Sequence, residues 1–496
     1  MAASRLRRTA LVAGLALTAL AFWSADASAS LTTVSSDPYL NRTSFHATEV
    51  EPDTLSSGAT IVSAFQAGRF SDGGASNIGW ATSTNAGGTW THGFLPSTTP
   101  YSSPVGSYAR ISDPAVAFDR RHNVWIVASL ALHASPVYGA VVLVSRSTNG
   151  GTAWGSPVRV AAAAPGQNFD KEWIACDGTP TSPYYGSCDV EWDDAAHGEQ
   201  LHMAVSSDGG LTWRQASVPA AGVIGGQPLV QPGGRVIVPA DNANETSVKS
   251  FVSTNGGASY SGPYAVASIA SHVESGNLRS SPLITAEIDA TGTVYTAWSD
   301  CRFVTSCTAN DVVLTSSADG VHWSAVRRIP IDSTTSGRDH FIPGLAVDRR
   351  TSGSTAKLAL TYYYYPTTSC STSTCRLDVG FVASSDAGAH WTAPTQLAGP
   401  SLLSELPLTN EGYMVGDYIS TSFVTASTGD LALPLFAVGL PVTGKTCTLG
   451  DVTSCREPMQ APATALSQQL AATRSATSAG ATVFAPRTAR AVRTER

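Results

Sequence analysis

Charged and tyrosyl side chains keep returning to one place in this chain, the entry to a short apolar strand. Glu49 and Glu51 stand in TEVEPD, Arg110 and Asp113 in ARISDP, and Asp170 and Lys171 in NFDKEW. Arg279 follows in NLRSSP, and Glu411, Tyr413, Asp417 and Tyr418 in NEGYMVGDY. Gln227 and the run Arg338, Asp339 and His340 hold the same place in two other stretches. Arg69, Asp300 and Arg302 lie in loops that add to the set. Charged residues are only 14% of the chain, so this recurrence points to a shared pocket. Two carboxylates such as Asp113 and Asp417 can work on a sugar linkage as an acid and base pair, and their separation would set the mechanism. Glu51, Asp113, Asp170 and Asp417 form an acidic ring able to offer oxygen ligands to Ca²⁺, although nothing in their spacing resembles an EF-hand loop. No other cofactor is expected. The ten histidines contain no His-Glu-x-x-His, and the glycine-rich turns lack the Lys and helix that a phosphate cradle needs.

The elements that must position these residues are repeated. Six segments share one form: STNAGGTW (83–90), STNGGTAW (147–154), SSDGGLTW (206–213), STNGGASY (253–260), SSADGVHW (316–323) and SSDAGAHW (384–391). An Asp or Asn carbonyl oxygen can accept from backbone N–H groups further along, Gly supplies positive φ, and the closing aromatic ring packs between strands. Each copy is therefore a hairpin turn with an anchor. Before each copy an apolar strand, a polar turn and a second apolar strand recur, as in DPAVAFDRRHNVWIVASL (113–130) and PLITAEIDATGTVYTAWSD (282–300). Repetition at roughly 60 residues, in a chain of short alternating strands, predicts an all-β radial array of four-stranded blades. A further unit begins at GDYISTSFVTASTGDLALPLFAVG (416–439) without such a turn; REPMQAPATA (456–465) and a strand near Leu31–Val34 are expected to complete it. Seven blades is the expected count, with six as the alternative. Closing the ring with a chain end protects its sheet edges.

The start of the chain reads as an export signal. Arg5, Arg7 and Arg8 precede an apolar run from Ala10 to Trp23, and small residues follow at Ala25, Ala27 and Ala29. The expected organisation is a signal peptide over 1–29, a β-propeller over 30–465 and a disordered Ala/Thr/Ser/Arg-rich tail over 466–496. Eight cysteines fall in close pairs, Cys176/Cys188, Cys301/Cys307, Cys370/Cys375 and Cys447/Cys455, which fits local disulfides in an oxidising compartment. The formal charge of −7, with no basic block in the expected propeller, argues against nucleic acid as a partner. No segment after the signal is long and apolar enough to span a bilayer. A secreted monomer acting on, or binding, an extracellular glycan is the reading that follows.

The six turns resemble Asp-box (BNR) repeats, whose pattern is Ser/Thr-x-Asp-x-Gly-x-Thr-Trp. The resemblance runs from about residue 49 to 439. It implies a β-propeller, and in the sialidases it accompanies removal of terminal sialic acid. That chemistry uses three arginines on the substrate carboxylate, a Tyr nucleophile with a Glu beside it, and an Asp as acid/base. On this sequence the resemblance implies Arg110, Arg279 and Arg302 as the clamp, Glu411 and Tyr413 as base and nucleophile, and Asp113 as acid/base. Asp170, Lys171 and Asp417 would add substrate contacts. The Phe/Tyr-Arg-Ile-Pro stretch that sialidases commonly carry before the first turn is absent here; RRIP at 327–330 lies in a late unit. A non-catalytic propeller that binds glycan or protein is the alternative.

Overall fold

A computed structural model describes residues 30–448 and 450–466, so the readings of 1–29 as a signal and of 467–496 as part of a tail lie outside the described residues. Among the described residues the chain is all-β, with helix limited to five three-residue 3₁₀ turns. The strands form antiparallel sheets in chain order. Four strands within 169–215, 285–328 and 340–402 make three separate four-stranded sheets. Residues 223–268 form a five-stranded sheet in which Val223–Ile224 and Leu229–Val230 share one neighbour, Val236–Asn242. An eight-stranded sheet consists of two groups of four, 49–94 and 110–162, joined through the single pair Ala75 and Ile111. Ser420–Ala426 and Gly429–Ala437 are completed by Met459–Pro462 and then by Leu31–Thr33 from the other end of the chain. That is the closure expected from the sequence. Leu466, assigned from sequence to the tail, bridges back to Ala432.

The first strand of each group packs against the first strand of the next. Glu49–Ser57 touches Arg110–Asp119, which touches Phe169–Cys176, and the series continues through Leu229–Val230, Thr285–Ile288 and His340–Val347 to Ser420–Ala426. Ser420–Ala426 then packs on Glu49–Ser57, so the series closes. This is a β-propeller. Apolar cores lie between neighbouring sheets; one joins Ile126, Val142 and Val144 to Ile174, Val190 and Trp192.

The repeated turns bolt each sheet to the one before it. In SSDGGLTW the Ser206 hydroxyl donates to Asp208 Oδ1 (2.9 Å) and accepts from the Gly210 amide (3.0 Å). Asp208 Oδ1 accepts from the amides of Leu211 and Thr212, each at 3.0 Å. The glycine that follows meets the preceding sheet at a distance no side chain allows. A Cβ on Gly151 would sit 2.5 Å from Val62, on Gly320 2.8 Å from Ile237, and on Gly87 2.8 Å from Leu433 across the ring closure. In the copy at 316–323 the Ser-to-Asp spacing is kept by Ser317 and Asp319, and the stretch before Trp323 is one residue shorter. All eight cysteines pair as expected: Cys176–Cys188, Cys301–Cys307, Cys370–Cys375 and Cys447–Cys455. No helix among the described residues is long and apolar enough to cross a membrane.

Candidate functional site

The innermost strands carry a repeated irregularity where they enter. Pairing slips between Val50 and Asp53, Ser112 and Ala115, Asp170 and Trp173, and Phe341 and Gly344. At each slip one non-glycine residue takes positive φ: Glu51 (55°), Asp113 (47°), Lys171 (53°) and Ile342 (49°). The left-handed region costs an ordinary residue about 1–2 kcal/mol, and such strain gathers at functional sites. A bulge also re-aims a side chain. Here it turns Glu51, Asp113 and Lys171 toward one place.

They line a cavity of about 240 Å³ with Arg69, Asp170, Arg279 and Glu411. The Lys171 ammonium contacts Asp417 and lies 3.9 Å from Asp113. Arg279 grips both oxygens of Asp417, with Nε at 2.7 Å and Nη2 at 2.5 Å, and its Nη1 reaches Glu411 at 2.6 Å. The Asp417 amide donates to Glu51 Oε1 (3.1 Å), Gln66 donates to the other Glu51 oxygen, and Arg69 donates to Gln66 (2.9 Å). Gly416 makes the approach to Glu51 feasible, because a Cβ there would meet the Glu51 amide nitrogen at 2.8 Å.

This geometry divides the acids into two states. Burial alone would push Asp417 up, but Arg279 and then Lys171 outweigh it and hold its carboxyl well below the usual range. Asp113 moves the other way: burial raises it against the pull of Lys171, and Asp170 and Asp417 add to the rise. Asp170 is raised by desolvation against Lys171 and Arg279. Burial, with Asp417 and Asp113 beside it, pushes Glu51 up to about 7. Glu172, next along the strand, has both oxygens buried without a hydrogen-bond partner and is raised well above its ordinary value by burial. One carboxyl lowered by its cations, Asp417, is therefore grouped with acids raised by burial, with one ammonium among them. Such a set can donate a proton and take one back.

The residues expected from sequence divide between this pocket and elsewhere. Asp113, Asp170, Lys171, Arg279, Glu411 and Asp417 are brought together. Asp417 lies beneath the cavity as the partner of two cations. Arg110 is held beside the cavity by Asp72 (2.5 Å) and the Gly73 carbonyl (2.9 Å), with its guanidinium over Phe70. Arg302 is not brought in: it chelates Asp300 at 2.8 and 2.6 Å and bonds the Ser268 carbonyl. Tyr413 is separated from Glu411 by a tight hairpin. Glu411 stands in the turn after Leu408–Thr409 and is exposed, while Tyr413 buries its ring beside Leu278, Phe341 and Tyr363. That hairpin has another use: Tyr413 exchanges backbone bonds with Asn277 and Arg279, fixing where Arg279 points. The acidic ring is real in placement, but Lys171 and Arg279 supply its counter-charge. Arg69 and Glu51 are central; Glu51 carries a signal in sequence, the residue-before-proline position it shares with Asp113 and Ile342, and Arg69 carries none of that kind.

Residues 59–287 match the BNR repeat-like domain, in accord with the resemblance drawn from the turns. No curated protein matches the sequence. Among solved structures, a protein of unknown function from Dyadobacter fermentans is similar at 15% identity and TM-score 0.46, covering 71% of this chain and 98% of its own. The Hadza microbial sialidase Hz136 is similar at 13% identity and TM-score 0.41, covering 71% and 66%. The Penicillium chrysogenum α-L-arabinanase complexed with arabinobiose is similar at 10% identity and TM-score 0.43, covering 88% and 98%.

Proposed function

We propose that this protein is a secreted glycoside hydrolase on a seven-bladed propeller, working at the strand-entry cavity of the axis. The observation that carries the reading is one cavity lined by Asp113, Asp170 and Lys171, with the buried Lys171 ammonium 3.9 Å from Asp113. Where burial raises two carboxyls that line one cavity, one can act as general acid while the other serves as base. Asp417 fixes Lys171 and Arg279 and keeps the positive charge in place. Arg279 and Lys171 would bind substrate oxygens, with Glu411 closing the open side. Secretion is supported by the four disulfides, and the blade count by the closed series of inner strands. A sialic acid substrate would need guanidinium groups free to take its carboxylate. Arg279 is already occupied by Asp417 and Glu411, so the geometry favours a neutral sugar.

Turnover of fluorogenic aryl glycosides of arabinose, galactose, glucose and sialic acid tests this. Release from a neutral sugar that disappears in Asp113→Asn supports it; release from the sialoside alone moves the substrate to the acidic class. One observation favours a second reading, a propeller that binds glycan without cleaving it: Lys171 and Arg279 are already satisfied inside the fold. Glycan binding with no turnover on the whole panel would establish that reading in place of the first.

A further inference from the structure

The axis holds a second cavity. A chamber of about 500 Å³ opens at the end where the inner strands leave, and none of its lining residues lines the strand-entry cavity. Tyr418 stands between the two. Its phenol donates to the Pro114 carbonyl (3.3 Å), and Trp173 meets its ring edge-on, with centroids 5.2 Å apart. The volume falls within the range of small-molecule sites, about 300–1,000 Å³.

Polar side chains from successive inner strands line this chamber, and several are occupied within the fold. Asp53 accepts from the Val116 amide (2.7 Å) and the Ser420 hydroxyl (3.1 Å), and Ser420 in turn accepts from the Thr54 amide (3.0 Å). Three other residues keep donors in hand. Gln227 is 6% exposed, and its Oε1 accepts from the Ala286 amide (2.7 Å). Only the oxygen of a side-chain amide can accept an N–H, so the orientation of Gln227 is fixed and Nε2 keeps its hydrogens. Thr285, on the following inner strand, accepts from the Leu345 amide (3.1 Å) through its hydroxyl oxygen. The hydrogens of Gln227 Nε2, the Thr285 hydroxyl and the Trp173 indole N–H have no acceptor among the described residues.

Charge decides the class of ligand. Donors left over around one cavity call for an acceptor-rich molecule and not for a bare cation. The cations of the chamber stand at its outer mouth: Arg120 follows the strand Arg110–Asp119, Arg349 and Arg350 follow His340–Val347, and all three are exposed. Arg349 is paired with Glu287 and Arg350 with Asp348, each at 3.0 Å. An anion deep in the chamber would share it with Asp53 and lack a counter-charge, which burial makes costly. Neutral hydroxyl oxygens can take all three donors, and the indole adds apolar surface beside its own N–H.

We propose that this exit-side chamber is a second binding site, taking a neutral, monosaccharide-sized polyol through Gln227, Thr285 and Trp173. It is independent of the chemistry proposed for the entry-side cavity.

Titration calorimetry and saturation-transfer NMR of the full chain with arabinose, galactose and glucose, and with glucuronate in parallel, test this. Gln227→Glu keeps an oxygen for the Ala286 amide and removes the donors; Trp173→Phe keeps a ring and removes the N–H. A neutral sugar bound by the wild type and weakened about tenfold in each variant is expected, the upper worth of one hydrogen bond. Circular dichroism confirms that each variant is folded, and Trp173→Phe alone decides the matter if Gln227→Glu is not. Three results would overturn the proposal: no sugar bound by the folded wild type, which leaves water alone in the chamber; binding unchanged in the folded variants, which moves the sugar elsewhere; or glucuronate bound as tightly as the neutral sugars.

Discussion

The rim turns and the axial cavity use the same residue types to opposite ends. In the turns each Asp is solvated and surrounded by donors: slight burial pulls Asp208 up, but the hydroxyl and amide of Thr212, with Ser206 and Leu211, outweigh it and bring it down to about 2. At the axis the acids have few donors and many like charges, and burial raises Asp113, Asp170 and Glu51. The turn aspartates are fixed anions that hold a frame. Of the axial acids only Asp417, held by Arg279 and Lys171, is lowered in the same way. Distance along the chain follows the same division, since a turn is complete within eight residues while Lys171 and Asp417 are 246 apart.

Substitutions can break this contrast, and the largest effect belongs to the axial pair. Asp113→Asn and Asp170→Asn should each lower kcat/KM by about 10²–10⁴-fold, the usual worth of a general acid or base, with little loss of Tm. Steady-state kinetics beside thermal melts checks both halves. Next comes Asp417→Ala, which leaves Lys171 and Arg279 buried without their partner. Loss of one member of a buried ion pair costs about 3–5 kcal/mol, readable in urea unfolding. A turn substitution should act on stability alone. Gly257→Ala puts a Cβ 1.7 Å from Asp189 Oδ1 at a φ of +77°, and overpacking of this kind costs about 1–3 kcal/mol. Its kcat should stay near wild type.

The pH dependence of stability sharpens the comparison further. Burial pushes Glu51, Asp53 and Asp189 up to about 7, so the folded chain holds more protons than the unfolded one between their ordinary values and 7. Their contribution is fully present below pH 4 and is lost as pH rises through 7. Asp208 runs the other way: its contribution is present above pH 3.8 and lost as pH falls through about 2. Calorimetric Tm should therefore fall between pH 5 and 8, and Glu51→Gln should flatten that slope. The smallest effect is expected of Arg302→Ala, which removes a guanidinium bound to Asp300 and Ser268 and lying over Trp298, and should change kcat/KM less than twofold.

The same contrast explains what could be read from sequence. The turns were legible because Ser206, Asp208, Gly210 and Trp213 make their bonds among themselves, so spacing reports structure directly. Closure of the last sheet by Leu31–Thr33 was legible because a unit lacking its fourth strand must find one. The axial residues were legible as a set, since entry positions converge in any propeller. Their pairing was not, because it depends on bulges that set side-chain direction one residue at a time. Tyr413 and Glu411 show the cost: spacing suggested a facing pair, while the two-residue turn between Thr409 and Gly412 sends one outward and the other into the core.

The pH profile of kcat/KM on the best neutral glycoside, run on wild type, Asp113→Asn and Asp170→Asn, tests the proposed acid and base most directly. A bell-shaped wild-type profile whose alkaline limb is lost in one variant and acidic limb in the other is the expected result. A profile of unchanged shape in both variants, or no turnover by the wild type at any pH, would contradict it.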